Sequence, residues 1–237
     1  MAQSAKGRVM PAKVNAQYNV AAPESLPARI AHYQRRKMFA AFLEVLRPTE
    51  ADTVLDLGVT SDRSYDHSNY LEAWYPHKHR ITASGIDEGA RFLETEYPGL
   101  TFTLADGRDL PFDDGSFDFV HSSAVLEHVG SRAQQAQFLR ESWRVARKGI
   151  FVTTPNRWFP VEFHTVLPLV HWLPAPLFRR LLTAVGRDFF AQEEHLNLLS
   201  RRDLAAAADA AGITTHRIIG TSLAGWTTNL ELVALRG

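Results

Sequence analysis

The chain has 237 residues with 26 basic and 26 acidic side chains, so its formal net charge is zero, which removes any global attraction to nucleic acid or anionic lipid. Hydrophobic residues make up 45% and charged residues 22%, a mixture able to bury a substantial core. The absence of cysteine excludes disulfides, thiolate metal ligands and thiol nucleophiles.

Residues 1–24 show little periodicity and read as a loosely ordered segment ahead of one domain spanning 25–237. No apolar run near the N-terminus could form a signal-peptide core. Pro27 opens a helical stretch with Ile30, Tyr33, Met38, Phe42 and Val45 at roughly helical spacing, which predicts one buried face. From residue 52 strands and helices alternate. Strands are expected at Thr53–Leu57, Ile81–Ile86, Thr101–Ala105, Phe117–His121 and Ile150–Thr153, with two closing strands near His216–Gly220 and Asn229–Leu235. Helices are expected at Ser68–Tyr75, capped by Ser68, at Ala90–Tyr97, at Arg132–Ala146 behind Ser131, and at Ser200–Ala211. The greasiest stretch, Val161–Leu182, is interrupted by Glu162, His164, His171, Arg179, Arg180 and three prolines, so it does not read as a membrane span. The chain is expected to be soluble and cytoplasmic, which a cysteine-free composition fits.

Alternating strands and helices imply right-handed crossovers and a mostly parallel sheet covered on both faces. Ligands in such folds bind beyond the carboxyl ends of the strands, and three of those ends carry an aspartate. Asp87 stands where a nucleoside-binding fold sets an acid against ribose hydroxyls, since a carboxylate accepts two hydrogen bonds from a diol; it reads equally as a helix cap. Asp106 before Gly107 reads as an acceptor for an adenine amine or as a turn aspartate. The first turn, Leu55–Gly58, continues as Val59-Thr60-Ser61-Asp62. It lacks the G-x-G-x-x-G fingerprint of nicotinamide enzymes, and no phosphate-loop motif occurs.

Taken in order, LDLGVTSDRS, ASGIDEGA, ADGRDLPFDDGSFDFVHSSAVLEHV and FLRESWRVARKGIFVTTPN resemble the motif series of class I S-adenosylmethionine-dependent methyltransferases. The likeness is to the type-11 small-molecule group, which includes relatives acting in quinone and lipid synthesis. It covers roughly residues 50–156. It implies a Rossmann-like α/β fold, a seven-stranded, mostly parallel sheet with helices on both faces and its last strand antiparallel. S-adenosyl-L-methionine would lie across the carboxyl edge. On that resemblance Asp56, Gly58, Val59 and Thr60 form the donor loop beside the methionine part. Asp87 holds the ribose, Asp106 and Gly107 frame the adenine, and His121 and Ser122 belong to the floor near the sulfonium. Thr60 and Asp62 replace glycines that most members carry, and the segment from Gly58 to Asp87 is longer than usual. These departures keep a non-catalytic, ligand- or partner-binding module as the alternative.

The strand-four turn reads HSSA and not the tetrapeptide of DNA amine methylation, so no nucleic-acid partner is expected. The stretch at about 157–190, dense in Phe, Trp and Pro, reads as a lid whose apolar wall suits a hydrophobic small-molecule or lipid-like acceptor. Its aromatic residues read equally as local core or an oligomer contact, and Arg179 with Arg180 leaves room for a peripheral membrane contact. His164 with Glu162, His195 and His128 are the candidate acid–base residues, because imidazole titrates near neutrality; His171 is a weaker fourth histidine. No histidine spacing matches a zinc motif, so no metal is expected.

Overall fold

A computed structural model describes residues 25–63, 65 and 68–237; the reading of residues 1–24 lies outside them. Helix α1 (Leu26–Leu46) starts at Ser25, whose hydroxyl accepts from the Ala28 amide, and ends at Arg47 in the left-handed region. Its buried face is Ala28, Gln34, Met38, Phe42 and Leu46. Tyr33, expected on that face, is exposed: a strict i, i+4 series from Gln34 takes the core side, and the chain spends a glutamine where an aromatic was expected.

Strands β1 (Val54–Leu57), β2 (Ile81–Gly85), β3 (Thr101–Leu104), β4 (Phe117–Ser123) and β5 (Ala146–Pro155) are joined by β6 (Arg217–Leu223) and β7 (Trp226–Leu235). They form one sheet in the order β3-β2-β1-β4-β5-β7-β6. Contacts among β1 to β5 are parallel, and β7 pairs antiparallel with both β5 and β6. The order reverses at β1, which puts the carboxyl ends of β1, β2 and β4 around one crevice.

Between them run α2 (Tyr70–Trp74), α3 (Phe92–Glu96), α4 (Arg132–Val145), α5 (Ala175–Ala184), α6 (Asp188–Ala191) and α7 (Arg201–Ala210). Two helix starts differ from the sequence reading. Ser68 does not cap α2, which begins after Asn69, because the Asn69 side chain is engaged with the first loop. The stretch 90–97 opens as a 3-10 turn, Glu88–Arg91, before α3. Asp87 caps that turn by accepting from the Gly89 amide.

Both sheet faces are covered. On one, Leu55, Leu57, Val120, Ile150 and Val152 pack with Phe138 and Leu139 of α4 and Leu204 of α7. On the other, Val54, Phe119 and Phe151 pack with Phe42 of α1 and Tyr70 and Leu71 of α2. A separate small core, Phe178, Leu182, Phe190, Leu196 and Leu198, belongs to the segment after β5. Among the described residues no helix is long and apolar enough to cross a membrane.

Candidate functional site

The first loop leaves β1 at Gly58, whose φ of +90° favours glycine and whose missing side chain lets Val125 approach; a Cβ there would lie 2.2 Å from a Val125 methyl. The Gly58 and Val59 amides both donate to the Ser84 carbonyl, at 2.7 and 3.2 Å. Thr60 stands where most members carry a glycine, and the longer segment compensates for it. The Thr60 amide donates to Asn69 Oδ1 and Asn69 Nδ2 donates back to the Thr60 carbonyl, both at 2.9 Å. Thr60 Oγ1 in turn accepts from the Asp62 amide at 3.0 Å. Side-chain contacts thus hold a turn that glycines would otherwise make.

Ser61 of this loop donates its hydroxyl to Asp87 Oδ2, while Asp87 Oδ1 takes the Gly89 amide at 2.9 Å. Asp87 is therefore both the cap and a half-buried acceptor at the end of β2. Beside it Ile86 is 60% exposed, and Leu104, two residues before Asp106, is 49% exposed. Two carboxylates able to accept from a diol and from an amine, with apolar surface next to each, are an acceptor set that fits adenosine.

The fit at Asp106 is less direct. Arg108 grips its carboxylate with Nε at 2.9 Å and Nη2 at 2.6 Å, and holds its pKa below the usual carboxylate range. An adenine amine would compete with Arg108 for that carboxylate. Gly107 is required by packing, because a Cβ would come within 2.4 Å of the Phe138 ring.

Asp56, His121 and Ser122 do not reach the open edge. Asp56 and His121 are register partners on β1 and β4, with side chains pointing into the α1/α2 face. His121 Nδ1 donates to Asp56 Oδ1 at 2.7 Å, and the Tyr70 hydroxyl donates to His121 Nε2 at 2.8 Å. Burial pushes Asp56 up to about 7 and His121 down to about 4, so both are neutral between those pH values. Glu72 of α2 is fully buried beside them with its carboxyl against that of Asp56, and burial together with that neighbouring carboxyl raises its pKa well above the ordinary value. Ser122 donates to the Leu57 carbonyl at 2.9 Å on the opposite face. All three are buried within the sheet.

The candidate acid–base residues come together only in part. A 3-10 turn, Leu126–His128, follows β4, and the stretch after β5 returns over it. His128 Nε2 and His164 Nε2 lie 3.0 Å apart. Glu162 accepts from the His164 amide and from Nδ1 with one oxygen, at 2.9 and 2.7 Å. Its other oxygen takes the Thr165 amide and hydroxyl, both at 2.6 Å. Burial opposes ionisation there, but the His164 charge and these bonds hold Glu162 down to about 2.

His195 contributes its carbonyl, which accepts from His128 Nδ1 at 2.6 Å. Its ring instead bonds the Phe189 carbonyl at 3.0 Å and stacks on the Phe189 ring at 3.8 Å, because it belongs to the small core after β5. His171 is also occupied, bonding the Phe159 carbonyl at 2.8 Å. Glu127, Ser61, Asn69 and Glu72 were not singled out as site residues by sequence reasoning. An acid or histidine inside an apolar strand row was the available signal for the Asp56 network; Asn69 carried none.

Residues 62–153 match the family model of the type-11 methyltransferase domain, a match that begins beyond the altered turn at Gly58. A protein of Roseiflexus sp. strain RS-1 named demethylmenaquinone methyltransferase is 27% identical over 83% of each chain. A protein of Roseiflexus castenholzii with the same name is 26% identical over 81% of each. Among solved structures, magnesium protoporphyrin IX methyltransferase from Synechocystis, determined with bound S-adenosylhomocysteine, superposes with a TM-score of 0.57. It is 16% identical and covers 89% of this chain and 86% of its own, a likeness of fold. The comparisons lend the non-catalytic reading no support. Strand order and the match of residues 62–153 agree in likening the chain to the class I S-adenosylmethionine-dependent methyltransferases of the type-11 group.

Proposed function

We propose that this enzyme methylates a hydrophobic small molecule of the quinone or lipid-linked kind, on a hydroxyl oxygen or an activated carbon. The observation that carries this reading is the character of the segment after β5. It brings His164 to the sheet edge, and it exposes Trp158, Val166, Leu169, Trp172, Leu173 and Leu177 around an ordered small core. Exposed apolar side chains beside a few polar groups suit an acceptor with little hydrogen-bonding capacity of its own. The donor supplies an electrophilic methyl carbon. The protein's share is to align the acceptor in line with it, exclude water and take up the acceptor's proton. The names of the Roseiflexus relatives support a quinone-like acceptor.

The test is transfer of labelled methyl from S-adenosylmethionine to demethylated naphthoquinols, compared with polar phenols and amines of similar reactivity. The expected result is label in the organic-soluble quinol, reduced at least tenfold in Asp87→Ala, which weakens donor binding, and a raised KM for the quinol in Trp172→Ala. Transfer confined to the polar acceptors would refute the reading.

A further inference from the structure

Glu127, His128 and His164 each offer one potential ligand atom, and those atoms all lie within 4.8 Å of one another. The atoms are electron-rich. His128 Nδ1 faces the His195 carbonyl and His164 Nδ1 faces the Glu162 carboxylate, so in each neutral ring the hydrogen sits on Nδ1 and the lone pair on Nε2. With both rings neutral, two such lone pairs face each other at 3.0 Å; in the metal-free chain, where the Glu162 carboxylate favours a protonated His164, an Nε2 proton lies between them. The third atom, Glu127 Oε1, is fully buried without a hydrogen-bond partner and stands 3.7 Å from His128 Nε2. A proton on one imidazole would serve the nitrogen pair and leave Glu127 Oε1 unserved. A cation between them serves all three.

We propose that Glu127 Oε1, His128 Nε2 and His164 Nε2 are the ligands of a divalent transition-metal ion of the Zn²⁺ type, with a further coordination position open. Tetrahedral Zn²⁺ with bonds of about 2.0–2.1 Å holds neighbouring ligand atoms about 3.3 Å apart; two of the three separations here, 3.0 and 3.7 Å, bracket that value, and the third lies within 4.8 Å. Each ligand is oriented from behind as metal ligands are. One histidine donates to a carbonyl and the other to a carboxylate, while Glu127 Oε2 accepts from Thr154 Oγ1 at 2.9 Å. Two imidazoles and one carboxylate suit Zn²⁺, Co²⁺, Mn²⁺ or Fe²⁺ better than Mg²⁺ or Ca²⁺, which prefer oxygen alone. The sequence expectation of no metal rested on local spacing, but the two histidines are 36 positions apart and meet only when the segment after β5 folds over the turn after β4.

The binding claim is independent of the acceptor. Its catalytic consequence, polarisation of an acceptor oxygen at the open position, rests on the acceptor reading above. The experiment uses tag-free full-length protein, stripped with chelator and dialysed, then titrated separately with Zn²⁺, Co²⁺ and Mg²⁺. Expected are uptake of one equivalent of Zn²⁺ and a visible Co²⁺ spectrum of low coordination number. Zn²⁺ at a hundredfold excess over Kd should raise Tm by about 5–10 °C, with no such rise for Mg²⁺. Glu127→Gln and His164→Gln should each bind Zn²⁺ at least tenfold more weakly, and His79→Gln should bind it normally. Folded wild-type protein that takes up no stoichiometric Zn²⁺ would overturn the proposal, as would uptake undiminished in both ligand variants. Wild-type uptake and the Co²⁺ spectrum decide the matter even if a variant fails to fold, and neither depends on finding the acceptor.

Discussion

At the scale of single residues, the buried group formed by Asp56, His121, Tyr70 and Glu72 links the fold to solution pH. In the folded chain Asp56 keeps its proton up to about pH 7 and His121 stays neutral down to about pH 4. Between about pH 4 and 6.5 the unfolded chain ionises the aspartate and protonates the histidine. It therefore carries the same number of protons on this pair as the folded chain, and the two slopes cancel. Glu72 is not compensated. Its folded pKa is raised, so the folded state binds more protons than the unfolded one, and stability falls as pH rises through and beyond the ordinary carboxylate range. Each unit of that displacement is worth about 1.4 kcal/mol. Glu72→Gln keeps the shape and deletes the titration. Its Tm advantage over the wild type should grow from about pH 5 to about pH 8. Equal differences in Tm at the two pH values would show that Glu72 ionises freely in the folded protein.

At the scale of elements, α4 is the strut that holds the turn carrying Glu127 and His128. Its start is a capping box: Ser131 Oγ accepts from the Gln134 amide and Gln134 Oε1 accepts from the Ser131 amide. One turn on, Gln135 Nε2 donates to the carbonyls of Leu126 and Asn197 at 3.0 and 2.8 Å, which ties the 195–198 stretch to the turn after β4. Ser131→Ala should cost about 1 kcal/mol and lower Tm by about 2–4 °C at this size. Ser131→Ala removes only the bond from the Gln134 amide and Gln134→Ala only the bond from the Ser131 amide, so the pair should lose about the sum of the singles; a loss well below that sum in thermal melts would mean the two bonds depend on each other. Ser131 and Ser200 were legible in the sequence because a cap needs only its own side chain and the next turn. All seven strands were legible too, since β-branched and aromatic runs between turn residues encode them locally. Asn69 as the support of Thr60, and the split of 88–96 into two helical pieces, depend on partners that no local window contains.

At the scale of the whole molecule, the sheet and the segment after β5 are built on different cores. The sheet's two faces close over Leu139, Phe42 and their neighbours, whereas Phe178, Leu182, Phe190, Leu196 and Leu198 pack mainly on one another. The stretch at 157–190 thus contributes both to a small core and to exposed apolar side chains. What the sequence left hidden is the meeting of the two units at His128 and His164, a tertiary contact with no periodic signature. Two separately packed cores should open separately. Leu182 and Leu139 are both fully buried, so Leu→Ala at either creates a cavity costing about 2–5 kcal/mol. In Leu139→Ala that loss should appear as a lower global Tm and faster hydrogen exchange throughout β1, β4 and β5. In Leu182→Ala it should appear as faster exchange confined to about residues 157–198, with the amides of β1 and β4 as protected as in the wild type. Accelerated exchange across the sheet in Leu182→Ala would mean the segment after β5 is an integral part of one cooperative core, and not a unit docked on it.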